Sequence, residues 1–182
     1  YGAPFASKLF NTEGIGLPLV RIRDLKSEEP GVWTPEVHPK GYRIQPGDIV
    51  VGMDGEFRAH LWGGEEAWMN QRICVFRPAN EHSAAFVRLA IGAPLAHVEE
   101  TETATTVIHL GKSDIDRFRI VVPPPPVAAA FGEVCQPLYE RVVAGKQAAR
   151  SLRAVRDALL PRLVSGKLRL PEAREQLEGV AT

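Results

Sequence analysis

The run Trp68-Met69-Asn70-Gln71-Arg72 sets two carboxamides beside a guanidinium, just ahead of an apolar stretch. These groups suit recognition rather than bond-making. Asn and Gln pair bidentately with an adenine edge and Arg with a guanine edge, although Asn70 and Gln71 serve equally well as local backbone caps. A second set follows the Asp54-Gly55 dipeptide, where Glu56, Arg58, His60 and Trp62 alternate onto one face of the segment. A solvated strand face has the same pattern. A third set, His109, Lys112 and Ser113, brackets an expected helix start, where free backbone N–H groups suit a phosphate oxygen or a simple cap.

Bond-making chemistry finds no such foothold. The histidines at 38, 60, 82, 97 and 109 are scattered, with no HExxH and no ligand-spaced Cys or His pair, so no metal site is expected. There is no GxSxG elbow, phosphate-cradling glycine loop or GxGxxG. Asp48 and Asp54 are possible paired carboxylates, but each lies beside glycine in a turn context. The residues therefore suggest a protein that binds and does not catalyse.

The 182 residues, 45% of them hydrophobic, allow one domain with a real core and one appended element. Basic and acidic residues balance at 22 each, which gives no overall positive charge for attracting nucleic acid. The balance is uneven along the chain. From Pro123 onward nine basic residues stand against six acidic ones, so the tail is basic and the body slightly acidic. Cys74 and Cys135 are far apart and fit a reducing cytoplasm better than a disulfide framework. No apolar run reaches the roughly 20 residues of a membrane span, and no signal peptide is read. The chain starts at Tyr1, from which a piece of a longer protein is expected.

The elements that must hold these residues are read as an α+β body with a long helix after it. Strands are expected at 19–23, with Arg21 and Arg23 on one face, and at 49–53, 57–62, 71–76, 105–110 and 118–122. Asp54-Gly55 is expected to close a type I′ hairpin. Residues 83–91 read as a helix with Ser83 as N-cap and Gly92 as stop, and Ser113-Asp114-Ile115-Asp116 as one capped helical turn. Four prolines, 123–126, predict a stiff extended linker, followed by a short helix over 127–135 and a new one from Pro137. From there Leu138, Val142, Gly145, Ala149, Leu152, Val155, Leu159 and Leu163 recur at steps of three and four, a heptad-like stripe ending at Ser165-Gly166. The domains are thus 1–122, a linker 123–136, a helix 137–166 and a tail 167–182. The helix, on the order of 43 Å long, compares with one turn of DNA, about 34 to 36 Å.

YGAPFASKLFN, GLPLVRIRDL, PGDIVVGMDG, NQRICVFRP, HLGKSDI, VPPPP and above all RDALLPRLVSGKLRL, in this order, resemble the specificity (S) subunit of type I restriction-modification systems. The resemblance covers one target recognition domain and one conserved spacer helix. It implies a strand-rich body that reads half of a bipartite DNA target. The helix would pack antiparallel with an equivalent one, through Leu138, Val142, Leu152, Val155, Leu159 and Leu163. The second half would come from homodimerisation or from a longer chain. The implied partners are double-stranded DNA, modification subunits carrying S-adenosylmethionine for adenine methylation, and a restriction subunit; no cofactor is expected in this chain. On that basis Asn70, Gln71, Arg72, Asp54, Arg58 and Trp62 are expected at base edges, and Lys8, Arg21, Arg23, His109, Lys112 and Ser113 at phosphates. The competing expectation is a protein-interaction scaffold with an oligomerising coil and no DNA specificity.

Overall fold

The computed structural model describes residues 1–79, 82–101 and 108–169. The strands are β1 (Leu17–Val20), β2 (Trp33–Thr34), β3 (Arg43–Ile44), β4 (Ile49–Gly52), β5 (His60–Leu61), β6 (Ala67–Met69) and β7 (Ile73–Phe76). The helices are α1 (Ala84–Ala90), α2 (Gly92–Thr101), α3 (Lys112–Ile115) and α4 (Pro125–Val164). The chain divides into two compact units, Tyr1–Val143 and Ala144–Thr182. Strand sheets followed by one long helix make this the expected α+β class.

The first unit holds two sheets. One runs β2-β1-β6-β3, with β1 and β6 parallel and the outer pairs antiparallel; the other is an antiparallel β5-β4-β7. Side chains along a strand point alternately to opposite faces, and the apolar clusters follow that rule. Val50 of β4 packs with Val20, Ile44, Ala67 and Met69 of the first sheet, and Ile73 of β7 joins them. Ile49 and Val51 point the other way, into a cluster with Phe57, Cys74, Ile91, Leu95 and Leu110. Beyond the first sheet, Leu19 and Trp68 meet Ala3 and Phe5 of the amino-terminal segment. All four residues of β4 are buried. A strand covered on both faces has to be a continuous apolar run, which is what Ile49-Val50-Val51 is.

The turn before β4 is held by a buried carboxylate. Asp48 Oδ2 accepts from Gln45 N–H at 2.8 Å, and Arg77 reaches both carboxylate oxygens at 2.9 and 3.0 Å. Asp48 is therefore structural.

Several local expectations are corrected. The strand at 19–23 stops at Val20, because Asp24 accepts from Arg21 N–H at 2.9 Å and caps a 3-10 turn, Ile22–Asp24. The Asp54-Gly55 loop is not a type I′ hairpin, since Gly55 alone of the pair has positive φ. Its flanking strands pair only at Ile49–Leu61 and Val50–His60. Residues 108–110 enter instead, with Leu110 N–H donating to Met53 O and Gly55 N–H to Ile108 O. Residues 118–122 form no strand. Val121 is 89% exposed, and the segment has no sheet partner among the described residues. Of the strand expected at 105–110, residues 102–107 lie outside the described residues, while His109 bridges to Asp54.

Ser83 caps α1 through Phe86 N–H, as expected, but Gly92 opens a second helix rather than ending the first. Gly111, not Ser113, precedes α3, and Asp114 accepts its N–H at 2.9 Å. The prolines do not form an extended linker. Pro125 and Pro126 sit in the first turn of α4, where a missing N–H costs nothing. Residues 127–135 and those beyond Pro137 belong to the same helix. It ends at Val164, and Gly166 follows with φ near 68° as the sequence suggested.

Two stability outcomes are expected. Asp48→Ala, which strands the Gln45 N–H and the Arg77 guanidinium, should cost about 1 to 3 kcal/mol in urea unfolding. Burial pushes the Cys74 thiol up to about 12, so the fold favours its neutral form. That contribution is complete below the unfolded thiol's pKa, about 8.5, and is lost as pH rises toward 12. Cys135 should therefore react with a thiol reagent in the native protein and Cys74 only after unfolding. Cys74→Ser should flatten the alkaline fall of the urea midpoint.

Candidate functional site

Three stretches far apart in sequence meet where β4 ends. Met53 N–H donates to Arg72 O at 2.9 Å, and Met53 O accepts from Leu110 N–H at 2.8 Å. Asp54, Arg72 and His109 are thereby set side by side by backbone hydrogen bonds. The β6–β7 turn is held at both ends, by Asn70 N–H to Val20 O and Ile73 N–H to Asn70 O. The amino-terminal segment braces it through Gly2 N–H to Ile73 O and Ala3 N–H to Met69 O. Gly2 lies so close that a Cβ there would collide with the Asn70 carbonyl.

One carboxylate oxygen organises the cluster. Asp54 Oδ1 is 2.7 Å from His109 Nδ1 and 3.4 Å from Arg72 Nη1, and those two nitrogens are 3.3 Å apart. About half of the Arg72 and His109 side chains is open to solvent, against 27% for Asp54. The arrangement is an anion recessed behind a cation and an imidazole, both able to meet a ligand. Next to it in sequence, Lys112 pairs with Asp116, which raises the ammonium's pKa. The Tyr1 phenol's pKa is raised, chiefly by burial, with Asp116 adding to the shift and Lys112 opposing it.

Of the residues expected at base edges, Asp54 and Arg72 meet in this cluster, Gln71 is exposed at the turn between them and β6, and Asn70 is half-buried in its backbone frame. Arg58 is drawn elsewhere, to Glu99 of α2 at 2.7 Å, and that partner raises its pKa. Trp62 is corrected outright. It is fully buried with its Nε1–H donating to Glu65 O, so it has no surface to offer a base.

Of the phosphate set, His109 lies in the cluster, while Lys112, paired with Asp116, and Ser113 are exposed on α3 three and four residues further on. The leading N–H of that turn, on Gly111, is occupied by Asp114. Arg21 is half-buried against Asp24; Arg23 is exposed on the same turn. Ile22 and Leu25 of that turn pack close to Gly52, two residues before Asp54. Lys8 is exposed on a separate 3-10 turn, Ser7–Leu9. Sequence reasoning missed the counter-ions Glu99, Asp24 and Asp116. Lys112–Asp116 at i,i+4 and Arg21–Asp24 at i,i+3 carried a local signal, whereas Glu99 lies 41 residues from Arg58.

On α4, Leu138, Val142 and Leu152 are 60%, 50% and 69% exposed, and Val155, Leu159 and Leu163 are half-buried. Among the described residues there is no group of three metal-ligating side chains, and no helix is long and apolar enough to cross a membrane.

Residues 4–134 match the family model for the type I restriction modification DNA specificity domain. The chain belongs to the type I restriction-modification specificity-subunit family. It is 30% identical over 172 residues to the type I restriction enzyme EcoBI specificity subunit of Escherichia coli, covering 92% of this chain and 36% of that protein. A 68-residue stretch is 41% identical to the MjaIX specificity subunit of Methanocaldococcus jannaschii, covering 37% of this chain and 16% of that one. The chain thus spans little more than a third of the longer-matching curated relative. Among solved structures, the type I S subunit from M. genitalium superposes with a TM-score of 0.58 at 16% identity, over 90% of this chain and 42% of its own. The HsdS subunit from Thermoanaerobacter tengcongensis gives 0.53 at 18% identity, over 92% and 42%. These two likenesses are of fold.

The Asp54–His109 contact should register as a coupling in unfolding experiments. Asp54→Ala and His109→Ala, separately and together, are expected to interact by about 0.5 to 1 kcal/mol, the range for partly exposed pairs. Strictly additive losses would mean that the two side chains do not meet in solution.

Proposed function

We propose that this specificity-family chain reads one half of a bipartite DNA target inside a type I restriction-modification complex and has no catalytic role of its own. The observation that carries the reading is the meeting of Asp54, Arg72 and His109, with Lys112 close in sequence, on one solvent-facing edge built by three separate loops. A carboxylate, a guanidinium and an imidazole at one edge, with an ammonium three residues further along the chain, provide donors and acceptors for a base pair and positive charge for the adjoining phosphates.

In this reading residues 1–122 contact double-stranded DNA, and α4 sets the spacing to a second recognition half. That half comes from a second copy or from a longer chain. The exposed Leu138, Val142 and Leu152 give α4 an apolar edge suited to an opposing helix. Modification subunits, with their S-adenosylmethionine, and the restriction subunit would assemble on the same scaffold in the cytoplasm. This chain would need no cofactor. The zero net charge favours a shared grip, in which partner subunits hold much of the phosphate backbone.

Binding of the assembled complex to targets varied one base pair at a time tests the reading. Arg72→Ala is expected to lose about 1 to 3 kcal/mol of discrimination at one position, and Lys112→Ala to weaken all sequences alike. Affinity for DNA should fall steeply with salt; a flat dependence would favour the scaffold alternative. For the helix, Leu152→Asp with Leu159→Asp should abolish pairing of the recognition halves in sedimentation while the circular dichroism of the body is retained.

A further inference from the structure

The geometry around Asp54 assigns a tautomer to His109. A carboxylate oxygen accepts hydrogen bonds only, so the 2.7 Å contact between Asp54 Oδ1 and His109 Nδ1 requires the proton to sit on Nδ1. The same nitrogen cannot then accept from Arg72, and its 3.3 Å approach to Arg72 Nη1 is a meeting of two donors around one shared oxygen. In the neutral ring Nε2 is left as a bare lone pair, on a side chain that is nearly half exposed.

We infer that His109 is a specificity-determining residue, which accepts a hydrogen bond at Nε2 from an exocyclic amine of a base in the major groove. Adenine N6 and cytosine N4 present such amines there. The inference rests on the reading that this edge faces DNA, and it revises the expected phosphate contact, because a lone pair repels a phosphate oxygen. Protonation of the ring reverses the preference. Nε2–H then donates, rejects the amine and suits a phosphate. The charged side chains that meet the ring are Asp54 and Arg72. Lys112 and Asp116 stand three and seven residues further on and pair with each other, with the Tyr1 phenol in their field.

Nitrogen-correlated NMR of the ¹⁵N-labelled chain at pH 8 gives a readout without DNA. The Nδ1–H tautomer is expected at His109, and Asp54→Ala should shift it toward the Nε2–H form that free imidazole side chains favour. An Nε2–H ring or an imidazolium in the unsubstituted chain at that pH overturns the assignment.

The second arm uses the assembled complex on targets in which single adenines or cytosines lack their exocyclic amine. Removing the amine at one position should weaken binding roughly five- to tenfold, the worth of about one hydrogen bond. His109→Ala should lose sensitivity at that position only. If Arg72→Ala and Lys112→Ala alter DNA binding while His109→Ala leaves every amine deletion as costly as before, this inference fails and the DNA-reading edge stands. If all three substitutions leave binding unchanged, both fail.

Discussion

The body depends on one strand having no solvent side. β4 sends Val50 into the space between the sheets and Ile49 and Val51 into the cluster that takes in Ile91 and Leu95 of the α1–α2 region, so three layers share a single structural wall. Its neighbours must supply apolar surface on both faces. Cys74 and Ile73 of β7 do so in alternation, and burial of Cys74 is what holds its thiol neutral. Because β4 is fixed from both sides, its end at Gly52-Met53 is a rigid platform, and the polar cluster stands on that platform.

At the cluster the controlling element is smaller still, a single carboxylate oxygen with an arginine and a histidine around it. Such exposed pairs contribute little to stability. Their value is orientation: Asp54 holds two flexible side chains in one geometry, which under the proposed function lowers the ordering cost of meeting DNA. Elsewhere the same device silences cations. Arg58 with Glu99 and Arg21 with Asp24 face carboxylates within their own unit, which explains how a chain with balanced charge can still present a selective edge.

How much of this was legible depends on the distance over which each determinant acts. Ser83 as a cap and Gly166 beyond the last turn of α4 are local rules, and both were readable. The apolar run at 49–51 was readable as a strand, but nothing local says that it is covered twice. Asp54-Gly55 misled because the competing partner, residues 108–110, lies more than fifty residues away and captures the backbone of Met53 and Gly55. Residues 118–122 misled because β-branched residues need a free strand edge as well as propensity. The prolines misled through position, since at the start of a helix their missing N–H removes no bond. Asp54 and Arg72 were singled out together for base edges, and His109 separately for phosphates. Their meeting is a property of the fold. Trp62 failed because an aromatic that alternates with polar residues can equally point into the core.

The β6–β7 turn is clamped by main-chain bonds at Asn70 and Ile73 and by the close pass of Gly2 beneath it. None of those restraints consults the side chains of Gln71 or Arg72. Replacement at these two positions is therefore nearly cost-free for the architecture, so the surface chemistry of this tip can change without renegotiating how it folds. A bulkier residue at position 2 would have the opposite effect, spoiling the mount and leaving the tip's own alphabet intact.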